Sequence, residues 1–172
     1  MTGPCFVDAN VLVYTQDVRD ARKREIADIL LARLWGDQAG RTSIQVLNEY
    51  YSVLTRKFRH ALSHEVVWAD IEALMAWNPL PVDAVVMRRA RLIEQRYRLN
   101  WWDALIVAAA QLQDCRILYS EDLHHGAVYD SLQVRNPFLE QVNEPAPMEY
   151  VAPRKVSAHR PRGRPKKSTL IS

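Results

Sequence analysis

The sequence predicts an α/β fold, a three-layer α/β/α sandwich around a central parallel sheet. Two observations lead there. Short apolar runs alternate with amphipathic stretches of helical period, which is the pattern of strands joined by helical crossovers. Acidic residues follow two of those runs and stand near helix starts, and open parallel sheets gather their ligands at the carboxyl ends of the strands.

The elements follow in order. Cys5-Phe6-Val7 is a short apolar run ending at Asp8 and reads as a buried strand. Val11 to Tyr14 begins a short helix. Between Asp20 and Gly36 the apolar positions Ile26, Ile29, Leu30 and Leu34 recur at helical spacing, with a basic outer face. Gly40 to Thr42 fits a second short strand. Ile44 to Phe58 is helical, with Val46, Leu47, Tyr50, Val53 and Leu54 in one stripe. Ser63 suits the N-cap of a helix running to about Trp77. Pro79-Leu80-Pro81-Val82 can form only an edge strand or an extended link, because proline has no N–H to give a central strand. Asp83 caps a helix with Val86, Ala90 and Ile93 inward, and Asn100 caps the next, Trp101 to about Leu112. Arg116 to Ser120 is strand-like, Glu121 to Gly126 is a loop, and Val134 to Phe138 adds a last strand.

A chain of 172 residues is long enough for one domain with a real core. Its best apolar run, Ala104 to Ala110, is far too short to span a bilayer, so no membrane association is expected. The opening Met1-Thr2-Gly3-Pro4 has no basic segment, which argues against a secretory signal. Cys5 and Cys115 sit in or beside apolar runs and read as buried reduced thiols, so a cytoplasmic location is expected.

Charge divides the chain. Arg154, Lys155, Arg160, Arg162, Arg164, Lys166 and Lys167 lie beyond Val151, where there is no Asp or Glu. Without these seven of the 23 basic residues, 16 face 20 acidic ones in the rest. An acidic body and a basic arm suggest two jobs, metal chemistry for one and a polyanion for the other. The composition turns to Pro, charge and small polar residues after Asn143. We therefore divide the chain into a folded domain, residues 1–143, and a disordered basic tail, residues 144–172.

Four acids are candidates for chemistry: Asp8 after the first strand, Glu49 in mid-helix, Asp103 in the first turn of its helix, and Asp122 past the strand at Ile117-Leu118-Tyr119. Each is flanked by apolar sequence, which places it at the edge of the core. Converging carboxylates repel unless a cation joins them, and hard oxygen donors suit Mg²⁺ or Mn²⁺. Each acid also has an ordinary structural role open to it. Asp8 could cap the following helix, Asp103 could complement a helix dipole, Asp122 could be a loop aspartate, and Glu49 could stand at the surface. Periodicity alone does not bring the four together.

A family resemblance does. Phe6-Val7-Asp8-Ala9-Asn10-Val11-Leu12 resembles the opening motif of PIN domains. Val46-Leu47-Asn48-Glu49-Tyr50-Tyr51 resembles the family's helical Glu motif, and the stretch from Trp101 to Ala110 is similar to its third motif. Leu118-Tyr119-Ser120-Glu121-Asp122 resembles the fourth, and Asn136-Pro137-Phe138 is similar to a common ending of VapC-like toxins, found in type II toxin–antitoxin pairs. The resemblance implies that Asp8, Glu49, Asp103 and Asp122 are catalytic acids. Asp8, Asp103 and Asp122 would hold Mg²⁺ or Mn²⁺, and Glu49 would adjust the site. It implies Asn10 and Ser120 as supporting polar groups, with Asn10 standing where Ser or Thr is common. It further implies a PIN-like fold, RNA cleavage by metal-activated water, a homodimer, and an antitoxin whose tail fills the active groove.

The tail carries a second resemblance. Arg160-Pro161-Arg162-Gly163-Arg164-Pro165-Lys166-Lys167 resembles the AT-hook. Gly163 lets the backbone approach a groove floor, Arg162 and Arg164 suit a narrow A·T minor groove, and Lys166 and Lys167 suit phosphates. Contact with RNA, or a merely solubilising role, are the other readings. Elsewhere, His124 and His125 read as loop residues without further zinc ligands. Trp101 and Trp102 read as packed rather than stacked on RNA, and Arg22-Lys23-Arg24 as a solvated helix face. A receiver domain needs adjacent acids after its first strand, and a haloacid-dehalogenase phosphatase needs an acid where Asn10 stands. The remaining alternative is a nucleic-acid-binding regulator with an inert body.

Overall fold

A computed structural model describes residues 3–140. The tail motif Arg162, Gly163, Arg164, Lys166 and Lys167, with the boundary at residue 143, lies outside the described residues. The elements run β1 (Cys5–Val7), α1 (Ala9–Tyr14), α2 (Ala21–Gly36), β2 (Gly40–Arg41), α3 (Ile44–Lys57) and α4 (His64–Leu74). A 3₁₀ turn at Met75–Trp77 follows, then α5 (Ala84–Tyr97), α6 (Trp101–Leu112), β3 (Ile117–Tyr119), β4 (Val128–Tyr129), β5 (Leu132–Arg135) and α7 (Pro137–Glu140).

Helices flank a central sheet of order β2-β1-β3-β5-β4. β1 pairs in parallel with β2 and β3, and β3 with β5. Buried on both faces, such strands read as unbroken apolar runs; Phe6, Val7, Leu118, Leu132 and Val134 are all fully enclosed. The helices start where local chemistry dictates. Asp20, Ser43, Ser63, Asp83 and Asn100 each accept a backbone N–H from the first turn that follows. At Gly40 a Cβ would lie 2.3 Å from the buried Trp77 ring, so only glycine lets the 3₁₀ turn close over β2.

Three expectations change, and one is met. The sheet is not wholly parallel: β4 pairs antiparallel with β5 through a turn at Asp130, whose φ is 55°. A two-residue strand carries no periodic signal. The last strand ends at Arg135, because the Asn136 side chain accepts the Phe138 N–H and Pro137 opens α7. Pro79–Val82 is the expected extended link; it adds a single parallel bridge, Ser43 with Leu80, in which Ile44 N–H donates to the Leu80 carbonyl at 3.0 Å. Ile29 is exposed, while Ala27 joins Ile26, Leu30 and Leu34 inward; Ile29 lies roughly a third of a turn from the centre of that face.

Both cysteines are buried and free, and burial pushes the Cys115 thiol up to about 12. No described helix is long and apolar enough to cross a membrane.

Candidate active site

The parallel pairing of β1 with β3 decides what meets at their carboxyl ends. Asp8 N–H donates to the Tyr119 carbonyl at 3.0 Å, which extends that pairing and sets Asp8 opposite Ser120. Asp8 is 8% exposed, and every close polar neighbour donates to it. One oxygen accepts Ala9 N–H at 2.7 Å; the other accepts the Ser120 hydroxyl at 2.8 Å and the Asn10 amide at 3.1 Å. Asp8 therefore caps α1 as well as forming part of the acid cluster. Burial pushes its carboxyl up to about 6; the Ser120 and Ala9 bonds oppose the rise, and the charges of Glu49 and Asp122 add to it.

Asn10 ties the two strand ends together. Its amide nitrogen lies 3.0 Å from an Asp122 oxygen as well as near Asp8, and its carbonyl accepts Glu121 N–H at 3.1 Å. Ser120 is enclosed, and its Oγ also accepts Leu123 N–H, which fixes the turn that carries Asp122.

Glu49 and Asp103 come from helices and are held more loosely. Glu49 is exposed on α3, yet its carboxyl is raised by partial desolvation and by the charges of Asp122 and Asp103. Asp103 and Asn100 cap each other: Asp103 N–H donates to Asn100 at 3.0 Å, and the Asn100 amide donates back to Asp103 at 2.6 Å. Desolvation raises Asp103, the Asn100 bond opposes this, and Asp122 raises it further. Asp122 thus lies within electrostatic reach of the other three acids, and Glu49 within reach of both Asp8 and Asp103.

A PIN-domain model matches residues 5–130. The chain belongs to the PIN-domain family. That match takes in the segments carrying all four acids. The PIN fold here is similar to the crystal structure of Mycobacterium tuberculosis VapC20, described as a sarcin-ricin loop cleaving toxin, with a TM-score of 0.52 and 23% identity. The likeness covers 69% of this chain and 89% of that one, and it is a likeness of fold. Comparison with curated proteins by sequence finds no match.

The donor set of this PIN domain suits a hard cation. Its acids are all carboxylates, and a positive charge among them would relieve the strain that raises Asp8, Glu49 and Asp103. Among the described residues no three His, Cys, Asp or Glu side chains converge closely enough to hold an ion by themselves. An ion held among these acids would therefore keep several of its own waters, as Mg²⁺ does. His125 is engaged elsewhere, accepting Asn136 N–H at 2.9 Å.

Sequence reasoning missed one feature of the site and misjudged another. Lys23 is not on a solvated face. It forms an ion pair with Glu121, donates to the Tyr14 hydroxyl at 2.9 Å, and lies 4.5 Å from the Tyr14 ring centre and 5.2 Å from that of Phe138. Its neighbour Arg22 donates to the Phe138 carbonyl at 3.0 Å. Lys23 and Glu121 are 98 residues apart, and no local signal links them. Of the two tryptophans, Trp101 packs against the core, but Trp102 is 66% exposed beside Asp103.

Proposed function

We propose that this PIN domain is a metal-dependent endoribonuclease and the toxin of a toxin–antitoxin pair. The observation that carries the reading is the Asn10 bridge: one amide links Asp8 to Asp122, within the electrostatic reach of Glu49 and Asp103. Asp8, Asp103 and Asp122 would hold Mg²⁺ or Mn²⁺ together with some of its waters, with Glu49 acting directly or through water. The bound ion would supply an activated water and stabilise the charge developing on the phosphate. The chain's own groups prepare that place. Ser120 and Asn10 fix one Asp8 oxygen, Ala9 N–H fixes the other, and Asn10 holds the Asp122 loop.

Cleavage of total bacterial RNA by purified protein is the direct test. It should require Mg²⁺ or Mn²⁺, stop with chelator, and be lost in Asp8→Asn and Asp103→Asn variants that still fold. Full activity in either variant sinks the assignment. An RNase of this kind would harm its host unless checked, so a small protein partner covering the acids is expected, and the working unit is a homodimer. VapC20, the similar structure, is described as a toxin. Expression without growth arrest, from a chain active on cellular RNA, would favour RNA processing instead. The tail would serve separately through Arg162, Gly163, Arg164, Lys166 and Lys167. Anisotropy with A·T-rich and G·C-rich duplexes tests that role, and equal affinity rejects the AT-hook.

A further inference from the structure

We propose that the groove between α1 and α3 carries the RNA backbone away from the acids, and that Arg19 and Lys57 grip one of its phosphates. The inference rests on the nuclease reading and adds a binding subsite to it. Glu49, Val53 and Lys57 are spaced four residues apart on α3, so they form one stripe along that helix. Asn10, Val13 and Asp17 line the other wall, from α1 into the turn after it. Between them lies a groove of about 300 Å³. Glu49, Asn10 and Asp122 mark one end; Arg19, Lys57 and Phe58 mark the other. The rise from Glu49 to Lys57 is about 12 Å of helix. A stacked strand advances about 3.4 Å per nucleotide, so the cations stand a few nucleotides from the acids.

The charges suit an RNA strand. The acid end repels a polyanion, so some other part of the groove must hold it. Arg19 is preset for this. It donates to both oxygens of the buried Asp17, at 2.8 and 2.7 Å, and its guanidinium lies 5.1 Å from the Phe58 ring centre. Two of its five N–H groups are so engaged, which leaves others for a phosphate. Its side chain is 71% exposed. Lys57 is exposed, makes no salt bridge among the described residues, and is near enough for its charge to act on Asp17. One carboxylate and two cations leave this end net positive. Phosphate contacts of this sort position a strand without reading its sequence.

The test uses the full chain, Mg²⁺, and a short single-stranded RNA spanning a site that wild type cuts in total bacterial RNA. Lys57→Ala and Arg19→Ala should each raise KM about tenfold, the scale of one lost charge-assisted bond, with kcat nearly unchanged. The slope of log kcat/KM against log salt should shrink by about 0.7 per lost contact. The tail contributes equally to wild type and variants, so it cancels. Arg88→Ala, an exposed cation on α5 outside the groove, should change neither quantity. Lys57→Arg should restore both. An uncharged methylphosphonate placed a few nucleotides from the cut should weaken wild type most, weaken Lys57→Ala less because only Arg19 then meets that phosphate, and leave the Arg19→Ala/Lys57→Ala double variant unaffected. If Arg19→Ala fails to fold with Asp17 unpaired, the exposed Lys57 still decides the matter. Unchanged KM and salt slope in Lys57→Ala overturn the subsite. If Asp8→Asn is at the same time inactive, the nuclease reading stands without it. Wild type that neither cuts nor binds RNA overturns both.

Discussion

The two halves of the acid cluster are built differently. Asp8 and Asp122 come from the ends of adjacent strands and are held by the side chains of Ser120 and Asn10. Glu49 and Asp103 come from helices; among the described residues the Asp103 carboxyl has one side-chain hydrogen-bond partner, the N-cap Asn100, and Glu49 stands exposed. The strand half is preassembled at an electrostatic cost, while the helix half stays free to adjust. On the proposed reading, in which the site binds a hydrated ion and then a polyanion, both properties are of use: fixed ligands set the geometry, and adjustable ones follow the charge.

The largest effect should come from Asp8. Asp8→Asn is expected to reduce cleavage to background while improving the metal-free fold. The folded-state value of Asp8, about 6, lies above its ordinary 3.8, so the folded chain binds the proton more tightly than the unfolded chain. Metal-free stability attributable to Asp8 therefore falls as pH rises from about 4 to about 6, and the penalty is complete above that. It amounts to up to about 3 kcal/mol at neutral pH. Asn removes the charge and keeps an acceptor for Ala9 N–H. Thermal melts without metal should place the variant above wild type at neutral pH, with the gap closing near pH 4. A variant that melts lower at neutral pH would show that the hydrogen bonds outweigh the charge.

Next come the groups that hold Asp8. Ser120→Ala and Asn10→Ala should each cost roughly 10- to 100-fold in cleavage or in Mg²⁺ affinity, the range for residues that orient metal ligands. Asn10→Ala should be the worse, since Asn10 bonds Asp8, Asp122 and the Glu121 N–H, whereas Ser120 reaches that loop only through Leu123 N–H. Titration of Mg²⁺ by activity measures this. Equal, small losses would mean that the strand half is no more preassembled than the helix half.

The pH profile gives a middle-sized effect. The cation needs Asp8 ionised, so activity should fall as pH drops through about 6, and added Mg²⁺ should shift that fall to lower pH. A profile unchanged by Mg²⁺ would separate the titration from metal binding.

The smallest effect should be at Asn100. Asn100→Ala removes the cap of α6 and the bond to Asp103. It should cost about 1 kcal/mol in chemical denaturation, with only a few-fold loss of cleavage. A loss as large as that of Asn10→Ala would show Asp103 to be as tightly held as Asp8.

Much of this was legible in the chain. The caps at Ser63, Asp83 and Asn100 act within four residues, so residue type and spacing locate them; Asp20 and Ser43 cap by the same local bond, although the sequence reading assigns neither as a cap. β1 and β3 show as apolar runs because parallel strands are buried on both faces. The four acids stood out because each interrupts apolar sequence, and the PIN-like order of the motifs joined them. β4 and the end of β5 were not legible, because a two-residue strand has no period and Asn136 had to be recognised as a cap.

Local starts and stops, the inward stripe of α5 and most of that of α3 are written in the sequence, although Val53, expected in the α3 stripe, is only half-buried and lines the groove instead. These depend on interactions between neighbours in the chain, which residue type and spacing encode. Tertiary structure decided the rest. Asp8 meets Ser120 across 112 residues, and Asn10 meets Asp122 across the same separation. Lys23 finds Glu121, and Lys57 lines one groove with Arg19, only because the sheet and α1 set their distances. Trp102 is exposed and Trp101 packed though they are adjacent, because a helix turns about 100° per residue and the core lies on one side.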